Sequence, residues 1–496
     1  PLVNNFRINP NTGALVAIDP DLDFAAVPGE EPEVTVAYTN NDTNTATGTT
    51  LFGITTGGDS LVINGGAAPG FNVLSGVGPL NVATASNNAG LDIFSPANSA
   101  VAILETAAGS TLHSVNLTTG AATLVGTIGD GTIDFSDIAV VPAISPSLVS
   151  GLGNGSVTPL VPTFFGTTAG QLTAGTAVTA ITGTTANVRT ATGDVNGDGV
   201  DDIIAVTGPG VPVRVRVISG VDNTTELVAP FDPFGDASFT GGGFVAAGNF
   251  DPISGTGSDG KAEFVVTPDQ GGGPRVVVFT FTAIGTAPTQ RASFLGIDDA
   301  NFRGGARPAV GDINGDGTLD LVVAAGFLGG PRTAIFNGTT VLGTPTRLVN
   351  DFIAFPGSDA DTLRNGVFVT ASDINGDGFD DLIFGGGPGG APRVFILSGQ
   401  VVTGTGAGTG VAAAQAAPIA NFFVAGNSTD RGGVRVAAAN LDGDGRGDLI
   451  VGSGEGRPAT VRAYRGINFT STNEPTVFQD LSVLGGASLP GGVFVG

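Results

Sequence analysis

One nine-residue pattern recurs through the second half of this chain and limits what it can fold into. Asp312-Ile-Asn314-Gly-Asp316-Gly-Thr318-Leu-Asp320 runs straight into the apolar stretch Leu321–Ala325. The same order appears as Asp194-Val-Asn196-Gly-Asp198-Gly-Val200-Asp-Asp202, as Asp373-Ile-Asn375-Gly-Asp377-Gly-Phe379-Asp-Asp381 and as Asn440-Leu-Asp442-Gly-Asp444-Gly-Arg446-Gly-Asp448. A fifth copy is split by an insertion: Asn249-Phe-Asp251, then residues 252–258, then Asp259-Gly-Lys261-Ala-Glu263. From one position 1 to the next the spacings are 55, 63, 61 and 67 residues.

Oxygen-bearing side chains at positions 1, 3, 5 and 9 converge only where the loop curls around a centre, and the glycine after position 5 permits that turn. Carboxylates packed so closely repel one another unless a cation sits among them. Hard oxygen donors without His or Cys select Ca²⁺ over transition metals. The loop is not an EF-hand, because position 12 is Ala205 or Val323 inside a strand-like run where that motif needs a glutamate and a helix. For a single copy a plain hairpin turn would explain the residues equally well; repetition in one context favours the ion. Four or five Ca²⁺ ions are expected.

Glycine and proline make up about 23% of the chain, beside 41% hydrophobic residues and 31 Phe. That combination suggests tight turns between short buried strands, and no convincing capped helical period is present. The fold class expected is all-β. Within each period a strand, the loop, an apolar strand, a Gly/Pro turn, a strand bearing Pro-Arg and a Phe-rich strand follow in order, as in Gly272–Phe279, Gly329–Phe336 and Gly390–Leu397. Four short strands per period make one blade of a β-propeller. The Pro-Arg arginines (Arg275, Arg332, Arg393) either form a ring that reads an acidic ligand or order their own blades.

Residues 1–142 lack the loop but hold three related hairpins, Phe6–Ile18, Leu51–Ile63 and Leu112–Val125. Hairpins repeated at such intervals point to a radial array, here a second propeller-like domain. Residues 143–160 read as a linker by their Ser, Pro and Gly content. Residues 161–496 then form a propeller of about six blades. Gly491–Gly496 matches a first strand and stops before any loop. It closes the ring against residues 161–184 or pairs with a neighbouring molecule.

The formal charge of −25 argues against nucleic acid or anionic membranes as partners. The loops hold 17 of the 44 acidic residues, so much of the acidity reads as metal ligation. No apolar run reaches the length of a membrane span. Without cysteine, and with one His (His113) and one Lys (Lys261), the usual nucleophile–base pairs are nearly absent, and no enzyme activity is expected. Loops of this kind suit millimolar Ca²⁺, which places the protein outside the cell or on its surface.

At the loop residues the chain from about 185 to 496 resembles the integrin-type FG-GAP (VCBS-like) repeats, and the resemblance implies a Ca²⁺-binding β-propeller. It assigns as ligands the side chains of Asp194, Asn196, Asp198 and Asp202; Asn249, Asp251, Asp259 and Glu263; Asp312, Asn314, Asp316 and Asp320; Asp373, Asn375, Asp377 and Asp381; and Asn440, Asp442, Asp444 and Asp448. The position-7 carbonyls of Val200, Thr318, Phe379 and Arg446 are assigned with them. The insertion and Glu263 in the second copy, and Asn440 in the fifth, depart from the pattern. Through Asn9–Asp19 and Asn116–Gly129 the first 142 residues resemble a bacterial domain family of unknown function, entered part-way through its length. Two functions are expected: a self-assembling extracellular subunit that forms a homopolymer layer, fibre or tube through open propeller edges, or an adhesin or ligand-binding module for a surface glycan or protein.

Overall fold

The computed structural model describes residues 5–8, 15–19, 33–39, 49–57, 59–65, 73–94, 99–128, 135, 138, 148–151, 155–162, 169–251, 260–357, 363–470, 472–483, 485 and 487–496. They belong to two compact units, residues 1–143 and 144–496.

In the first unit Asn5–Ile8 pairs antiparallel with Leu15–Asp19. Glu33–Tyr38, Leu51–Thr55, Ser60–Gly65 and Val73–Pro79 form a four-stranded sheet in chain order, and Ala89–Phe94, Ser99–Thr106, Gly109–Val115 and Ala122–Thr127 form another. Phe52, Ile54 and Leu61 of one sheet meet Leu91, Ile93 and Leu104 of the other in a shared core. His113 is buried in its strand, its Nε2 2.9 Å from the Thr111 hydroxyl, and burial lowers its pKa.

Among the described residues the second unit holds, besides a two-stranded sheet of Arg457–Pro458 with Ser488–Leu489, six larger sheets. Five are consecutive in the chain, each with its strands in the order 1-2-3-4. Their first strands are Val188–Gly193, Gly243–Gly248, Ala306–Gly311, Val367–Ser372 and Arg435–Ala439. Their second strands, such as Asp202–Thr207 and Asp320–Ala325, are buried at every residue because a neighbouring sheet covers each face. That double burial accounts for apolar runs in place of alternation. Six hydrophobic clusters lie between successive sheets, from Ile204 with Phe264 round to Val149 with Ile203, so the ring is closed.

The sixth sheet corrects two expectations. Residues 143–160, read as a linker, contribute the strands Leu148–Gly151 and Ser156–Pro162. Their Val149, Val157 and Leu160 side chains are buried, which a linker's composition does not require. Phe494–Val495 is the sheet's inner strand, with Ser150 opposite Val495 and Gly151 opposite Phe494. Closure therefore occurs within the chain, against 148–151 rather than 161–184. Short helices at Gly338–Val341, Gly399–Thr403 and Val411–Ala416 escaped the sequence reading because one turn carries no period. The first two are capped by Asn337 and Ser398.

Candidate metal centres

Each loop joins the first strand of a blade to the second, and its register is shared. Position 9 opens the second strand opposite the last residue of the first: Gly193 faces Asp202, Gly248 faces Glu263, Gly311 faces Asp320, Ser372 faces Asp381 and Ala439 faces Asp448. Positions 4 and 6 of the four intact copies are glycines at φ between 69° and 86°. Side chains with a Cβ are disfavoured there, so these two residues let the backbone amides turn inward.

Those amides meet the loop's own oxygens. Asp194 accepts from Gly197, Asp198 and Gly199 at 2.7–3.1 Å, and Asp373 accepts from Gly376, Asp377 and Gly378 at 2.6–3.1 Å. Asp312 accepts from Asp316 and Gly317. The Asn196, Asn314 and Asn375 carbonyls each accept the position-5 amide, and the position-5 carboxylate accepts the position-7 amide in all four intact loops. In the fifth copy Asn440 accepts from Gly443, and Arg465 lies 3.4 Å from Asp442.

Position 9 is the buried anchor. Asp202, Asp320, Asp381 and Asp448 each accept the amide of position 2 and a second amide eighteen residues onward, from Gly220, Gly338, Gly399 or Gly466. Those four glycines were missed in the sequence. A Cβ on any of them would stand 1.9–2.4 Å from the carbonyl oxygen of position 8, so only glycine approaches closely enough to donate. Burial pushes Asp202 and Asp381 up to about 8, Asp320 to about 7 and Asp448 to about 6, and the position-5 carboxylate adds to each shift.

The donor set fits a hard cation: all oxygen, several carboxylates, and one of them buried enough to be unfavourable as a lone charge. Among the described residues no three His, Cys, Asp or Glu side chains stand arranged to hold an ion, since the loop carboxylates are turned onto amides. The second copy differs in kind. Asp259 lies outside the described residues, and the Arg291 guanidinium sits 3.7 Å from Asp251 and 3.5 Å from Glu263. A fixed positive charge already compensates that pair.

Successive loops also touch. The position-8 amides of Ala262, Asp380 and Gly447 donate to the position-1 carbonyls of Asp194, Asp312 and Asp373 in the preceding loop, at 2.7–2.8 Å. The Pro-Arg arginines order their own blades: Arg275 donates to Ser293, Arg332 pairs with Asp351, and Arg393 donates to Asn421, each on or beside the fourth strand.

Among the described residues no helix is long and apolar enough to cross a membrane. Residues 3–139 match the model described as "Domain of unknown function (DUF4394)", and residues 304–339, the third loop with its flanking strands, match the FG-GAP repeat. The integrin alpha pat-2 of Caenorhabditis briggsae is 29% identical over 238 residues, which are 44% of this chain and 19% of that protein; the chain thus spans about a fifth of its relative. Among solved structures, Sqt1 from Chaetomium thermophilum is similar at TM-score 0.34 and 14% identity, over 86% of this chain and 94% of that one. The Dos1 propeller aligns at TM-score 0.34 and 10% identity, over 92% and 85%. The rhamnogalacturonan lyase YesW aligns at TM-score 0.32 and 13% identity, over 93% and 72%. The second unit is a β-propeller whose third loop and flanking strands match the FG-GAP repeat, and the first unit matches a domain of unknown function.

Proposed function

We propose that the second unit is an extracellular propeller, stabilised by calcium in its loops, that serves as an adhesion or ligand-binding module. The observation that carries this reading is the repeated loop: four copies share glycine conformation, amide pattern and a buried position-9 carboxylate. A cation bound only by the folded loop stabilises it by mass action, about 2.7 kcal/mol per site when free ion exceeds Kd a hundredfold. The integrin similarity supports the binding role. Self-assembly through an unpaired last strand loses its motive, because Phe494–Val495 is paired in its own chain.

Calcium titration by calorimetry, with thermal melts in calcium and in chelator, tests the reading. Four bound ions and a melting temperature raised by calcium more than by magnesium are expected. No heat and no shift would overturn it.

A further inference from the structure

Five residues before position 1 of each loop, the inner strands carry Arg189, Phe244, Arg307, Phe368 and Arg435 in turn, and Phe494 completes the alternation. This register puts all six at the end of the propeller axis opposite the loops. The three phenyl rings meet one another with centroids 6.0–6.1 Å apart. Each guanidinium lies against two of them, at 4.1–5.5 Å, so rings and cations close into a hexad.

Aromatic faces satisfy the faces of the guanidinium groups but not their N–H edges. Nε and Nη1 of Arg189, Nε and Nη1 of Arg307 and Nε of Arg435 have no hydrogen-bond partner among the described residues, although these residues are only 5%, 5% and 2% exposed. Asp269 pairs with Arg189 at 2.9 Å and Glu455 with Arg435 at 3.4 Å, whereas Arg307 has no ion pair among the described residues. Three guanidinium groups therefore share two carboxylates. Burial first, and the neighbouring guanidinium groups after it, lower Arg307 to about 10 and Arg435 to about 9. Above the hexad lies a cavity of about 290 Å³ that these residues line, with Gln270 and Asn365 on its wall.

We propose that this axial cavity binds a compact oxyanion, a carboxylate, sulfate or phosphate group on a small ligand, held chiefly by Arg307 with Arg189 and Arg435. Guanidinium N–H edges match such oxygens in pairs, and a dry setting strengthens each bond. The chain's charge of −25 repels extended polyanions, so a small ligand suits the site better than a nucleic acid or an acidic polymer. This assignment deepens the binding-module reading by naming the ligand chemistry.

The test is calorimetry on the full chain in calcium buffer free of competing oxyanions, with sodium sulfate, inorganic phosphate and glucuronate as separate probes. Saturable binding of one ion per chain is expected, and the preferred probe identifies the source of the oxyanion. Arg307→Gln should weaken it about ten- to a hundredfold, the size of one or two charge-assisted hydrogen bonds. Gln270→Glu, at an exposed wall position that does not disturb the hexad, should weaken it about tenfold and decides the matter if the arginine variant misfolds. Absence of saturable binding by every probe, or unchanged affinity in Gln270→Glu and in folded Arg307→Gln, would overturn the proposal. The calcium titration is independent of this outcome, so a negative result leaves the propeller's metal reading standing and moves its ligand elsewhere.

Discussion

Position 9 of the loop combines a structural and an electrostatic role that substitutions can separate. Asp320 is fully buried and accepts the amides of Ile313 and Gly338 at 3.1 and 2.8 Å. Removing it strands two donors in a dry interior, at about 1–3 kcal/mol each. Asp320→Ala is therefore expected to lose about 2–5 kcal/mol in urea unfolding even in chelator. Asp316 is exposed and accepts the Thr318 amide. Asp316→Ala should cost less than about 1 kcal/mol in chelator yet remove one calcium equivalent. Equal losses for the two variants in chelator would contradict this division. Positions 1, 3, 5 and 9 could be read from the sequence because they recur. The partner glycines could not, because Gly220, Gly338, Gly399 and Gly466 are four among 82 and lie eighteen residues away on the far side of a strand pair.

The decisive element is the two-residue strand that shuts the ring. Its sequence resembles a first strand, which made it recognisable, but its partner was misplaced because residues 148–151 are short and set among Ser, Gly and Pro. The native chain has no cysteine, so a single engineered pair reports cleanly on this contact. Ser150 and Val495 are directly opposite in an antiparallel pair, a spacing of about 4.5–5.5 Å between Cα atoms that a disulfide can span. Ser150→Cys with Val495→Cys is expected to oxidise within one chain, giving a faster-migrating monomer on non-reducing gels and a higher melting temperature. Disulfide-linked dimers and ladders instead would show the strand passing between molecules and would restore assembly as a function.

At the scale of the whole molecule, the strand-loop-strand period made the propeller legible, since an acidic turn recurs every 55–67 residues among four short strand-like runs, the make-up of one blade. The axial hexad was not legible, because arginine and phenylalanine alternate between blades rather than along any strand, and their meeting appears only once the ring closes. The acidic charge, too, acquires a direction from the fold. In the calcium-free chain Asp202, Asp320, Asp381 and Asp448 hold their protons to about pH 6–8, against 3.8 for an ordinary aspartate. The folded state then binds more protons than the unfolded one over that interval. The stability these groups contribute is complete below about pH 4 and is lost as pH rises through the folded values. Calcium acts in the opposite sense, because its ligands must be ionised, and its stabilisation grows as they deprotonate. Melting curves from pH 5 to 8 are therefore expected to fall with pH in chelator and to fall less, or rise, in millimolar calcium, so that the gap between the two widens. Parallel curves would mean that the buried carboxylates do not meet the ion, and the loops would then be turns held by their own amides alone.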